Sequence, residues 1–224
     1  MMQWLKTLGL CTTRLPYNFY TIVFEIYMTS PNILTPITLA NDWARLEPLS
    51  QAHCADLRAA VGDLYALWYT AIPNSQSMKC EIERRLSLQA AGSMLPFAAI
   101  NVTTGKAVGM TTYMNIDRIH QRVEIGSTWT STAMQRTGFN TACKYLLLSH
   151  AFNTLECIAV EFRTHRFNTQ SRTAIARIGA QYDGMLRNHQ RANNGTLRDT
   201  AVYSITQAEW PTVSAHLRTQ LNIT

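Results

Sequence analysis

A carboxylate, Glu124, lies eleven residues ahead of a short polar turn, Gln135-Arg136-Thr137-Gly138-Phe139-Asn140, which runs straight into a leucine-rich segment. A carboxylate can take a proton from an incoming nucleophile, most effectively when burial raises its pKa toward neutrality. A glycine-containing turn at a helix start can hold a phosphate. The first N–H groups of the helix have no partners inside it, and the helix dipole adds partial positive charge there. Together these residues point to proton abstraction beside a phosphorylated co-substrate.

The elements that must position them follow from periodicity. RVEIGSTW (122–129) alternates as a strand, with Val123, Ile125, Ser127 and Trp129 on one face and Glu124, Gly126 and Thr128 on the other. A helix over 137–152 turns Phe139, Cys143, Leu146, Leu147 and Ala151 inward. A strand over 155–164 places Ile158, Val160 and Phe162 together, so strand, helix and strand form a βαβ unit with parallel neighbours. Upstream, 37–49 reads as one strand, Ser50 caps a helix over 51–63, and 62–77 is an ordered loop or short helix. A helix over 76–91 and a hairpin over 96–117 turning at Thr104-Gly105 complete that half. Downstream, Asn168 caps a helix to about residue 177 closed by Gly179. Two strands, 180–189 and 197–205, flank Asn193-Asn194-Gly195, and a short helix follows Gln207. The expected class is mixed α/β, with helices on both faces of a largely antiparallel sheet.

The chain has 224 residues, 46% of them hydrophobic, and a net charge of +6. This is enough for one well-packed domain. Residues 118–200 carry eleven Lys/Arg against five Asp/Glu, so the basic excess surrounds the turn and its downstream segment. A polyanionic small ligand accounts for that. Nucleic acid is disfavoured because the dense basic run and interleaved aromatics it calls for are missing. Five scattered cysteines do not form a disulfide framework, and a reducing cytoplasm fits them best. Residues 1–33 read as an extension ahead of a domain at 34–224, with Met28 a candidate initiator. Arg14, Pro16 and Glu25 break their apolar patches, which argues against a signal peptide and a membrane span.

RVEIGSTW, QRTGFN, NTQSRTAIARIGAQYDGMLRNH (168–189) and RDTAVYSI followed by EW, in this order, resemble the GNAT-superfamily N-acetyltransferases of the RimJ/RimL-like branch. The resemblance covers roughly residues 37–210. It implies a central sheet of about seven strands with a splayed parallel pair, an acetyl-CoA donor and direct transfer to a primary amine in a ternary complex. The acceptor would be a protein N-terminal α-amine or a small-molecule amine; no metal is implied, and a homodimer stays open. Cofactor contacts carry over to Gln135, Arg136, Thr137, Gly138, Phe139, Asn140 and Thr141 for the pyrophosphate. Gly138, lacking a Cβ, would allow close backbone approach. Trp129, Thr130 and Asn168 would bind the pantetheine arm. Glu124 would be the base, directly or through water, and Ser171 the donor to the departing thiolate. Trp68 and Tyr69 would line the acceptor pocket. Asn140 departs from the family turn, which usually ends in Gly or Ala.

Simpler readings stand beside these. Glu124 could pair with Arg122 or Arg163, Asn168 and Ser171 could be helix-start residues, and Trp68 and Tyr69 could be core. Cys143, His150 and Cys157 are spaced by seven, but they fall on a helix and the next strand and read as packing rather than a metal set. A GNAT-fold acyl-CoA binder without turnover, acting as a sensor or structural partner, is the rival function. It would need the turn but neither Glu124 nor Ser171.

Overall fold

Asn41 shapes the start of the domain. Its side-chain oxygen accepts the N–H groups of Trp43 and Ala44, both at 2.9 Å. The chain turns back there, and β1 (Leu39–Ala40) pairs antiparallel with β2 (Ala44–Pro48). The single strand expected over 37–49 is therefore a hairpin. An Asx turn, which alternation does not report, divides it.

The computed structural model describes residues 33–192 and 194–223. Of the extension expected over residues 1–33, residues 1–32 lie outside them, while Ile33 is buried in the core. After β2, Ser50 donates its N–H to His53 Nδ1 and starts a 3-10 turn (Gln51–His53) that continues as α1 (Cys54–Ala60). Then come α2 (Met78–Ala90), β3 (Met94–Asn101), β4 (Ala107–Asp117) and β5 (Arg122–Thr130). These lead to α3 (Phe139–Asn153), β6 (Ala159–His165) and α4 (Thr169–Arg177). The last elements are β7 (Gln181–Arg191), β8 (Leu197–Thr206) and α5 (Trp210–Leu221).

The strands form one eight-stranded sheet in the order β1-β2-β3-β4-β5-β6-β8-β7. Every neighbouring pair is antiparallel except β5 and β6, the expected parallel pair. Two apolar clusters cover opposite faces. One gathers α3, α4 and α5 residues such as Phe139, Leu147, Ile175 and Leu217 over Phe97, Tyr113, Ile125, Val160 and Phe162. Cys143 and Cys157 pack in the same cluster, where burial pushes both thiols up to about 12. The other gathers Leu57 and Val61 of the α1 region and Met78 and Ile82 of α2 over Ala98, Ile100 and Met110. Ile158, expected to share a face with Val160 and Phe162, instead precedes β6 and is 46% exposed.

A bulge corrects one more expectation. Met110 pairs with Trp129 and Thr112 with Gly126, so Ser127 and Thr128 together face Thr111. The extra residue reverses the alternation. Val123 and Ile125 enter the α3 cluster, but Trp129 is turned to the α1/α2 cluster. The ladder between β5 and β6 covers only Arg122–Ala159, Val123–Val160 and Glu124–Glu161, although both strands run on. Past that point the parallel pair splays.

Candidate functional site

Glu124 sits at the last rung of the ladder, where the splay begins. Its neighbours Val123 and Ile125 face the α3 cluster, so its own side chain faces the α1/α2 side. It is 5% exposed, accepts a 2.6 Å hydrogen bond from Asn115 Nδ2, and lies 3.6 Å from Arg163 Nε. Burial raises its pKa above the ordinary carboxylate range, and Asn115 and Arg163 offset this only in part. Of the two arginines considered as partners, Arg163 reaches both Glu124 and Glu161, while Arg122 pairs with Glu161. Glu124 is thus held without being fully neutralised, a state suited to a base.

The turn after β5 leads directly into the N-terminus of α3. Arg136 and Gly138 both take left-handed angles, φ 62° and φ 69°, and Gly138 is the N-cap of α3. The first-turn amides that follow have no acceptors within the helix. A Cβ on Gly138 would come within 3.2 Å of the Trp43 ring, so the glycine serves its backbone angle and this ring contact. Asn140 lies inside α3 without a left-handed angle, and the larger side chain there costs no backbone strain. Thr137 Oγ1 donates to Met134 O at 2.8 Å, which fixes the turn locally. Gln135 bridges the opening: its Nε2 donates to Thr130 O at 3.2 Å, and its Oε1 accepts from Gln170 Nε2 of α4 at 3.0 Å. Phe139 and Trp129 have buried side chains, Trp129 is paired with Met110 of β4, and Thr141 Oγ1 accepts from Arg177. The Phe139 N–H donates to Thr137 Oγ1 at 3.4 Å, and the amides of Asn140 and Thr141 that follow, at a helix start beside a splay, are of the kind that holds a phosphate.

Asn168 caps α4, its Oδ1 accepting the Ser171 N–H at 3.0 Å. Its amide nitrogen remains for another partner. Among the described residues the Ser171 hydroxyl makes no hydrogen bond, and the residue is only partly buried. Trp68 is 50% exposed and meets Tyr69, His165 and Phe167 edge-on or tilted, with centroids 5.1 to 6.1 Å apart. His165 shares a face of β6 with Glu161 and Arg163 by alternation, so the aromatic pair and Glu124 occupy one side of the sheet. They sit at opposite ends of a row roughly 13 Å long, for four residues at strand spacing.

The acetyltransferase (GNAT) domain family matches residues 44–181. The chain belongs to the GNAT acetyltransferase family. A protein of Bacillus subtilis named "Putative ribosomal N-acetyltransferase YdaF" is 31% identical over 47% of this chain and 57% of its own length. The alignment thus spans little more than half of that curated relative. A GCN5-related N-acetyltransferase from Brucella melitensis superposes with a TM-score of 0.78 at 28% identity, covering 86% of this chain and 88% of its own. Mycobacterium smegmatis RimJ, solved with CoA-disulfide, shares the fold at 22% identity and a TM-score of 0.71, covering 84% and 96%.

Several groups at this GNAT site escaped the sequence reading. Asn115 holds the carboxylate from β4. His165 is buried and accepts the Phe167 N–H at Nδ1, 3.1 Å away. Burial first, then Arg198, holds its pKa down, so the ring is neutral with its proton on Nε2. Lys144 of α3 is 6% exposed and donates to Thr128 Oγ1 at 2.9 Å. The available signal for Lys144 was its place in an almost wholly apolar helix, Cys143 to Leu148.

Proposed function

We propose that the chain is an acetyl-CoA-dependent N-acetyltransferase that acetylates a primary amine directly in a ternary complex. The observation that carries this is Glu124, a buried carboxylate of raised pKa at the rung where the parallel strands part. Acetyl-CoA supplies the acetyl group already activated as a thioester. Amides from Arg136 to Thr141 bind its pyrophosphate, and the backbone of Trp129 and Thr130 together with Asn168 Nδ2 orients its arm. Glu124 accepts a proton from the acceptor ammonium, directly or through water, because only the neutral amine is nucleophilic. Ser171 offers its hydroxyl to the departing thiolate. Trp68 and Tyr69 wall the acceptor side.

A protein N-terminal α-amine is the leading acceptor, the class suggested by the relative named as a ribosomal N-acetyltransferase. A small-molecule amine is second. The reading places the enzyme in the cytoplasm, consistent with free thiols at Cys54, Cys80, Cys143 and Cys157. Among the described residues no helix is long and apolar enough to cross a membrane, and the reading includes no metal. The deciding experiment follows thiol release from acetyl-CoA across N-terminal peptides, polyamines, aminoglycosides and amino acids, with CoA affinity measured in parallel. Acceptor-dependent release is expected. Tight CoA binding without release on any acceptor would make the chain a non-catalytic acyl-CoA binder.

A further inference from the structure

The Ser127–Thr128 bulge, just past the last β5–β6 rung, is held by two buried cations arriving from opposite faces of the sheet. From α2, Arg85 is 2% exposed and donates from its terminal nitrogens to Ser127 O and Thr112 Oγ1, both at 3.0 Å. Its Nε is paired with Glu81 at 2.7 Å. From α3, Lys144 Nζ donates to Thr128 Oγ1 at 2.9 Å, and that oxygen lies 2.7 Å from Thr111 Oγ1. Ser127 and Thr128 are the two residues of the bulge, and Thr111 is the single residue opposite them.

We propose that Arg85 and Lys144 are positioning residues that fix the Ser127–Thr128 bulge and thereby set the opening between β5 and β6 that receives the acyl arm. This rests on the acetyl-CoA reading above. Ser127 has φ 46°, a left-handed angle that a non-glycine residue keeps only where its surroundings over-determine it. The guanidinium on its carbonyl provides that restraint. A buried cation is also a poor way to gain stability, because an apolar residue of similar volume often serves the fold as well or better. Arg85 has a carboxylate partner. Lys144 has none within salt-bridge distance among the described residues, and instead lies 5.7 Å from the centre of the Phe162 ring. Its burial is hard to explain by folding alone. It is explained if the bulge must be held in one shape: a bulged strand bends, and this bulge begins three residues past the last β5–β6 rung at Glu124.

The test uses the full chain with Lys144→Met, Thr128→Val, their double variant, Arg85→Met and Arg85→Lys. CoA affinity is read by calorimetry, melting temperature by circular dichroism, and kcat and KM for acetyl-CoA by thiol release. Misplacing the arm should raise Kd and KM for the donor about tenfold in both K144M and T128V. The melting temperature of K144M should hold or rise. The double variant should be no worse than T128V alone, because T128V already removes the Lys144 contact along with those to Thr111 and Gly126 O. R85M removes three hydrogen bonds and can destabilise the fold, so the comparison is with R85K, which should recover part of the donor affinity. Wild-type CoA affinity in K144M and T128V would overturn the proposal. So would additive losses that track melting temperature, since these report folding only. Wild-type protein that binds no CoA would instead remove the acetyl-CoA reading itself, and the proposal with it.

Discussion

Within β5, Arg122 and Glu124 are paired to strands on both sides, across an irregularity in β4 between Met114 and Asp117, whereas Trp129 and Thr130 have a paired neighbour only in β4. The first half is restrained by the sheet and keeps strict alternation. The second half carries the bulge, a left-handed serine and a reversed face. The two halves divide the work of a single strand. The half flanked by both strands carries a carboxylate held by Asn115 from the irregular part of β4, and the other half has no β6 partner on one side. Catalytic groups are positioned most accurately where the scaffold is over-determined, and binding edges require unpaired backbone. Glu124 stands on the boundary between these regimes.

The largest expected effect comes from the paired half. Glu124→Gln should lower kcat by about 10² to 10³, in the range of general-base loss, while CoA affinity changes by less than about twofold. Calorimetry beside steady-state thiol release checks both. In the wild type the base works only when deprotonated, so kcat/KM should fall as pH drops through a pKa above the ordinary carboxylate range. An unchanged pH profile in E124Q would show that another group titrates.

Next comes the turn that follows the freed half. Gly138→Ala should weaken CoA binding by about tenfold and cost about 1 to 2 kcal/mol, since it forces a side chain to φ 69° against Trp43. Calorimetry and thermal melts measure the two losses.

A third prediction concerns pH. Burial pushes the Lys144 ammonium down to about 8 from its usual 10.5. Between those values the unfolded chain binds more protons at this site than the folded one, so its contribution to stability rises with pH. Relative to K144M, the wild type should therefore gain stability from about pH 8 to 10.5 and show no difference in slope below about pH 7. Denaturant melts at each pH test this.

The smallest effect sharpens the comparison from the other side. Ser127→Gly relaxes the left-handed angle without removing the carbonyl that Arg85 holds. It should change stability by only a few tenths of a kcal/mol, with the lower unfolded-state entropy of serine opposing the relief. A loss above about 1 kcal/mol would mean that the serine hydroxyl, not the backbone, matters there.

Most of the fold could be read from the sequence where its cause is local. The apolar stripe of α3, the Asn168 cap of α4, the hairpin turns and the parallel pair all follow from period, caps and turn residues. The hairpin at Asn41 was missed because an Asx turn leaves no mark on alternation. Gly126 stands directly before the Ser127 bulge, but a glycine within an otherwise regular alternation does not say whether a residue is inserted, and the facing of Trp129 depends on that insertion. For the candidate site, motif order pointed to Glu124, the turn and Asn168, which the structure places at the last β5–β6 rung, ahead of α3 and at the cap of α4. Lys144 and Arg85 were not legible, since a charged residue in a helix ordinarily signals a solvated face. Arg85 follows Arg84, which does point outward, and nothing in the pair says which is buried.

Trp43 adds a practical consequence. Its ring rests against Gly138, its Nε1–H donates to Leu221 O at 2.9 Å, and it is 40% exposed. An indole in half-polar surroundings changes its emission when its contacts change. The turn therefore carries its own optical reporter, and the difference spectrum between wild type and Trp43→Phe can follow ligand arrival in real time without a label.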